Sequence, residues 1–553
     1  MPAPNRNPAA EKPLPKPGFA DGISIIFYPE SPLKDDAVAR SALPIRELPR
    51  RTFLTRSAAA CGALTAGVAA ADLGRARTVS ILHTTDLHGR VLPTATYEGL
   101  DDVGGFARCA TAIRQWRRES PYSITVDIGD VVQGTAASME SGGLLMIELF
   151  NRLGYDAWTL GNHDFDWGPE RLDTLLEKTS SSVLTANLAL GDAAPGGFDG
   201  AWRKVLPWTI REVGGFRIGL IGLITPGLPY WLPSDLLGGT RATDPAEALK
   251  AAVAQVRGEQ VDAVVVMGHM GWRFNDDYAN PVRTILRDVD GVDVYLAGHS
   301  HQNQPSWTLH GVLCSQASYY GIHCGRIDLT FDLDTRKLVD RRGFTILMDD
   351  RFALDPLVMQ LAQPALDAAD EHLAREVCDV RRAISGKGRG SELAKLMCEM
   401  FASALKKQGQ PVDGVFHGTF ATGDIPPGKL TVADCWRLIP YENMLVTANV
   451  SAADLIAIVQ EDARQKDSDR TLWPFEVVAA SDDKAGGLRL NGADVPADRR
   501  FTVAFNAYDA QSGGQRLMKT REILATDSAR RRTSSIDTRS ALIDGFLDCG
   551  TIG

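Results

Sequence analysis

Five short apolar runs, Val79–Thr84, Ser123–Ile128, Ala157–Leu160, Val261–Met267 and Val292–Ala297, each stop at a cluster of Asp, His or Asn. The clusters read Asp86-Leu87-His88-Gly89, Gly129-Asp130, Gly161-Asn162-His163-Asp164, Gly268-His269 and Gly298-His299-Ser300-His301. A further apolar run, Phe216–Ile224, reads as a strand, and amphipathic stretches lie at Phe106–Arg118, Leu144–Leu153, Pro169–Lys178 and Ala246–Gly258. From Thr78 to about Phe344 this β-then-α rhythm predicts an α/β layered domain. In such a sheet, polar residues just past the strands gather at one edge, where ligands bind. Gly before four of the five clusters permits a tight turn and leaves room for a substrate.

Carboxylate, imidazole and amide oxygen together suit borderline and hard divalent ions, Zn, Mn, Fe and Co among them. Two ions roughly 3.5–4 Å apart can clamp a phosphoryl group and activate a water, provided one carboxylate bridges them. Asp130 is the natural bridge if its strand lies centrally. One site is then Asp86, His88, Asp130 and His301, and the other Asp130, Asn162, His269 and His299. His163 falls outside both ligand sets as a proton donor to the transition state or leaving group, with Asp166 three residues on to orient its ring. Five of the ten His lie in these clusters. His83, His310, His323, His372 and His417 are read as packing or surface residues.

Beyond this region a helical stretch, Pro356–Arg375, reads as a linker or hinge helix. Past Cys378, helices at Glu392–Lys406, Ala452–Asp462 and Ser540–Leu547 alternate with short strands, which predicts a separate α+β domain. Expected boundaries are a leader at 1–77, a catalytic domain at 78–350, a linker helix at 351–377 and a substrate-binding domain at 378–553. In the leader, Arg50-Arg51-Thr52-Phe53-Leu54 precedes a weakly apolar run ending in Ala69-Ala70-Ala71, which reads as a twin-arginine export signal. The expected partner is then the twin-arginine translocase, and the expected location periplasmic or extracellular. No later apolar run reaches the length of a membrane span. The net charge of −10 excludes a chain that is basic overall, of the kind that binds nucleic acid polymers. Eight Cys without a CxxC pair argue against a zinc ribbon or thioredoxin site. Cys314 and Cys324 stay open as a bridged pair or two free thiols.

Asp-x-His, Gly-Asp, Gly-Asn-His-Asp-Phe-Asp, Gly-His-Met and Gly-His-Ser-His, in this order, resemble the calcineurin-like metallophosphoesterases. The stretch Gly161–Gly168, GNHDFDWG, resembles their 5'-nucleotidase branch, which includes UDP-sugar hydrolases and cyclic-nucleotide phosphodiesterases. The resemblance implies a four-layer α/β/β/α domain, two divalent ions, and a C-terminal domain of the 5'-nucleotidase type that binds the nucleoside. It implies metal ligation by Asp86, His88, Asp130, Asn162, His269, His299 and His301, and a catalytic dyad of His163 and Asp166. Pro440-Tyr441-Glu442-Asn443 resembles the family's base-binding motif, so Tyr441 and Asn443 carry over, with Tyr508 as the second aromatic of the clamp.

The substrate pocket departs from that pattern. The phosphate-binding Arg of the family is replaced by Thr422. Gly513-Gly514-Gln515-Arg516-Leu517 lacks the ribose-contacting acid, and the upstream substrate Arg is replaced by Lys387, with Arg389 and Arg382 nearby. Neither Lys nor Thr reproduces a bidentate guanidinium fork. The expected function is hydrolysis of a small phosphate ester, such as a nucleotide, by attack of a metal-activated water. A thiosulfohydrolase-like enzyme of the same superfamily and a non-catalytic extracellular binding module are the alternatives.

Overall fold

The computed structural model describes residues 75–191, 198–272, 275–419, 423–466, 468–478 and 486–553. The Arg50-Arg51 leader and Thr422 lie outside the described residues. Among the described residues, no helix is long and apolar enough to cross a membrane.

Two sheets stack face to face in the first half of the chain. One has seven strands in the order Leu338–Leu347, His323–Asp332, Ala76–Thr84, Ser123–Asp127, Ala157–Thr159, Ser182–Leu184 and Val205–Leu206. It is parallel from Ala76–Thr84 onward. The other has six, in the order Asn303–Leu309, Val312–Ala317, Val294–Ala297, Ala263–His269, Phe216–Ile224 and Trp208–Val213, with a parallel centre and antiparallel edges. Ala263–His269 is buried along its whole length. A strand covered on both faces needs such a continuous apolar run, whereas a half-exposed strand alternates.

Val79, Ile81 and Val126 of the first sheet meet Leu220, Val265 and Met267 of the second in the core between them. Helices Phe106–Glu119 and Leu144–Leu153 cover the outer face of the first sheet, and Pro245–Gly258 and Val282–Asp288 that of the second. The architecture is therefore a four-layer α/β/β/α domain. This corrects the expectation of one shared sheet edge. The clusters at residues 86–88, 130 and 162–164 follow strands of the first sheet, while those at 269 and 299–301 follow strands of the second. Cys314 and Cys324 belong to different sheets and are buried free thiols, so they do not bridge.

Helix Pro356–Ala374 packs against the catalytic domain. Asp355 caps it, accepting from the amides of Leu357 and Val358, and receives Arg114 Nε at 2.7 Å. Its Val358, Ala362 and Ala369 join the core beneath the first sheet's helices. An apolar stripe of that kind has to be buried somewhere, and the catalytic domain supplies the nearest surface.

The C-terminal part is built on a five-stranded sheet, ordered Thr471–Trp473, Gly414–His417, Arg500–Asn506, Met444–Ser451 and Arg532–Asp537. Val415, Leu445 and Ala504 face helices Glu392–Lys407 and Thr538–Cys549, while their neighbours Phe416, Val446 and Phe505 face helix Ala452–Asp462. The alternation is the two-residue period of a strand covered on both sides.

Candidate dimetal centre

The two sheets end side by side, and their polar clusters converge there. Asp86, His88 and His301 offer ligand atoms within 4.8 Å of one another, as do Asp130, His269 and His299. His301 Nε2 lies 3.2 Å from His88 Nε2 and 3.3 Å from Asp86 Oδ1. Asp130 Oδ2 stands between the groups, 3.1 Å from His269 Nε2 and 3.8 Å from His88 Nε2. Asn162 Oδ1 is buried without a hydrogen-bond partner. A buried polar atom left so pays its full desolvation cost unless something else binds it. Two carboxylates, four imidazoles and an amide oxygen fit two divalent cations.

Three ring nitrogens that face away from the centre are held. His88 Nδ1 bonds the carbonyl of Gln133 at 3.0 Å, His269 Nδ1 that of Ile128 at 2.6 Å, and His301 Nδ1 the hydroxyl of Tyr97 at 2.8 Å. Each contact orients the ring so that Nε2 points inward, which is how metal-binding imidazoles are usually tuned. Asp164 ties two of the loops together. Its carboxylate accepts the amides of Gly161, Asp130 and Val131 at 2.8–3.0 Å. The Asp86 carboxylate accepts the amide of His299 from the other sheet at 3.0 Å.

Five of the seven expected ligands, Asp86, His88, Asp130, His299 and His301, adopt positive φ between 48° and 66°. For a residue with a Cβ this backbone costs about 1–2 kcal/mol. It turns each side chain back over the sheet edge, and local strain of this kind clusters at functional sites. Burial draws the imidazoles of His88 and His299 down to about 3, leaving neutral rings whose lone pairs can take a cation. Burial also opposes charge on His269, but the Asp130 carboxylate overcomes it and raises that ring to about 9.

His163 Nδ1 lies 2.7 Å from Asp166 Oδ2, and the His163 amide donates to Asp130 Oδ1 at 2.8 Å. Burial acts against charge on this ring too, yet Asp166 and Asp130 together lift it to about 10. The centre therefore holds an imidazole that keeps its proton beside the two ligand groups.

Residues 79–303 match the family model for the calcineurin-like phosphoesterases. The chain is 26% identical over 519 residues to a "Probable 5'-nucleotidase" of Treponema pallidum, covering 78% of this chain and 86% of that one. It is 31% identical over 313 residues to the 5'-nucleotidase of Rattus norvegicus, covering 51% of each. Residues 79–303 thus form a calcineurin-like phosphoesterase domain, and the chain is similar to 5'-nucleotidases. It spans only about half the length of the rat relative. A solved structure, a 5'-nucleotidase precursor from Thermus thermophilus, shares the fold with a TM-score of 0.63 at 22% identity, covering 86% of this chain and 97% of that one. The catalytic domain is that of metal-dependent phosphate-ester hydrolases.

The C-terminal part meets the catalytic domain at the centre. Tyr441 stacks on His163, with ring centroids 5.5 Å apart at 21°. The Tyr508 hydroxyl accepts from Arg516 at 2.8 Å, and a Cβ at Gly514 would meet that hydroxyl, the Tyr278 hydroxyl and the Trp231 indole nitrogen at 3.1–3.3 Å. Trp231 in turn packs on His299 at 5.1 Å. Asn443 lines an interdomain cavity of about 330 Å³ with Trp167 and Arg171, and its side-chain amide donates to the Tyr441 carbonyl. Lys387 is 78% exposed and pairs with Asp424, while Arg389 is bound to buried Asp462. Both cations are thus engaged within their own domain.

Sequence reasoning missed Glu442, which joins the domains. It accepts Trp167 Nε1 at 2.8 Å and Gln133 Nε2 at 3.3 Å, and pairs with Arg539 at 2.8 Å. It also missed Tyr97, Tyr319 and Tyr320 around His301 and His88. Glu442 lies inside the quoted Pro-Tyr-Glu-Asn segment, but its partners are about 275 and 309 residues away, so no local pattern signals the contact.

Proposed function

We propose that this protein hydrolyses small phosphate esters, with nucleotides as the substrate class, using two divalent ions of the Mn or Zn type. The observation that carries this reading is Asp130 Oδ2 standing between the two ligand groups, 3.1 Å from His269 and 3.8 Å from His88. Asp86, His88, Asp130 and His301 would hold one ion, and Asp130, Asn162, His269 and His299 the other. When bound, the ions polarise phosphoryl oxygens and make water nucleophilic near neutral pH.

The chain's own residues do the rest. Asp166 holds the His163 ring through Nδ1, leaving Nε2 as the atom that can pass a proton to the departing oxygen. Half-buried Tyr441 stacks on the His163 ring and shields that face of it. The nucleotide class is supported by the named activity of the treponemal and rat relatives and by the aromatic residues at the domain boundary. Export by the twin-arginine route, to the periplasm or beyond, is supported by the Arg50-Arg51 leader alone.

Metal-reconstituted protein should release phosphate from AMP or UDP-glucose, or nitrophenol from bis(p-nitrophenyl) phosphate. Failure on every one of these would overturn the assignment, and turnover of a sulfur-linked substrate instead would favour the thiosulfohydrolase alternative. Asp130→Asn should abolish turnover and lower the metal count. An Asp130→Asn protein with full activity and two ions refutes the bridging role. A reporter fused to residues 1–77 should cross the membrane only in cells with an intact twin-arginine translocase.

A further inference from the structure

Arg90 directly follows the Asp86–Gly89 turn, and it is held there by its backbone. Its amide donates to the Leu87 carbonyl at 2.9 Å, and its carbonyl accepts from Phe106 at the start of a helix, also at 2.9 Å. The guanidinium lies over the ring of Tyr320, 4.7 Å from the centroid. The Tyr320 ring sits 5.6 Å from that of His88, and its amide donates to the Asp86 carbonyl at 2.7 Å. Tyr441 comes close from the other domain, near enough to be influenced by both Tyr320 and Arg90.

The guanidinium makes no hydrogen bond or ion pair among the described residues, and its Nε is wholly buried. Burying part of an Arg without an acceptor is costly, and an aromatic face returns only some of that loss. Three other arginines that bury part of their side chains are paired with carboxylates. Arg389 holds Asp462, Arg539 holds Glu442 and Arg470 holds Asp509. An unpaired fork beside a dimetal centre is arranged for an anion that arrives with the substrate.

We propose that Arg90 binds the terminal phosphoryl oxygens of a phosphate monoester and so selects monoesters over diesters at this centre. The inference rests on the phosphoesterase reading above. A monoester carries about −1.5 to −2 charge near pH 7 and three terminal oxygens, so it offers one more anionic acceptor than a diester. A guanidinium meets two such oxygens at once, which Lys cannot do. Arg90 thereby supplies, from the catalytic domain, the positive charge that Lys387 and Arg389 spend on Asp424 and Asp462.

The test uses full-length protein loaded with Mn, as wild type, Arg90→Met and Arg90→Lys. Inorganic phosphate affinity is measured by calorimetry, metal content by mass spectrometry, and kcat/KM with AMP and with bis(p-nitrophenyl) phosphate. Arg90→Met should weaken phosphate binding about 10- to 100-fold, the loss of a charge-assisted contact. It should lower the AMP-to-diester ratio of kcat/KM to a similar extent with both ions retained, and Arg90→Lys should recover part of each. Unchanged phosphate affinity and an unchanged ratio in Arg90→Met overturn the proposal. So does loss of ions in that variant, which would make Arg90 a support for the ligand loop. If wild-type protein turns over neither ester, the phosphoesterase reading falls, and the phosphate titration still decides the role of Arg90.

Discussion

Gly161→Ala isolates the packing on which the centre depends. A Cβ at residue 161 would stand 2.1 Å from Asp130 Oδ1 and 2.4 Å from the Asp130 amide nitrogen. Ordinary contact begins near 3.4 Å, so the carboxylate would have to retreat by about 1.3 Å. It cannot do so freely. Oδ1 accepts the His163 amide at 2.8 Å, the Asp130 amide is bonded to Asp164 at 3.0 Å, and the Asp130 carbonyl accepts from His88 at 2.9 Å. Relief therefore breaks at least the His163 bond and moves Oδ2 out of its place between the ligand groups. Overpacking of a buried site costs about 1–3 kcal/mol, and a displacement near 1 Å at a reacting centre costs about 100-fold in rate. Gly161→Ala should bind fewer than two ions per chain by mass spectrometry and lose about 100-fold in kcat on the best substrate of the panel. Two tightly bound ions and wild-type kcat in this variant would refute the claim that Asp130 is sterically locked.

His163→Asn should cut turnover by about 10²–10⁴-fold while both ions remain, as expected for loss of a proton donor; loss of metal would move His163 among the ligands. Glu442→Gln strips the charge from a buried pair with Arg539, whose guanidinium keeps the carbonyls of Ile439 and Pro440 and the face of Trp436. Breaking such a pair costs about 3–5 kcal/mol, and the two carbonyls place this case at the lower end. Calorimetry should show a melting transition several degrees lower, and an unchanged trace would discount the contact. The proton on His269, held to about 9 by Asp130, must leave before a cation binds. Because that value is raised, the proton stays bound across neutral pH, so metal affinity should strengthen as pH rises from 6 to 8. A flat affinity over that range, with no proton release in calorimetry, would count against it.

Much of the fold was legible because strand and helix periods are local. The strand Phe216–Ile224 and the helices Leu144–Leu153, Pro169–Lys178 and Ala452–Asp462 have the expected bounds. The residues of the centre were legible for a related reason: each polar cluster follows its apolar run within a few positions. Where those runs sit in space was not. Periodicity does not record which sheet a strand joins, so the second sheet came only from the resemblance. The positive φ of Asp86, His88, Asp130, His299 and His301 also left no trace, since Asp and His tolerate that backbone without a distinctive pattern.

By itself, then, the chain's order of residues determined the elements, the chemical types gathered at strand ends, and the family those types resemble. The tertiary structure alone decided that Tyr441 lies on His163, that Glu442 joins Trp167 to Arg539, that Arg389 is taken up by Asp462, and that Arg90 has no such partner among the described residues. The reason is physical. Apolar periodicity is written over neighbouring residues, whereas the pairing of a buried charge depends on which distant segment packs against it.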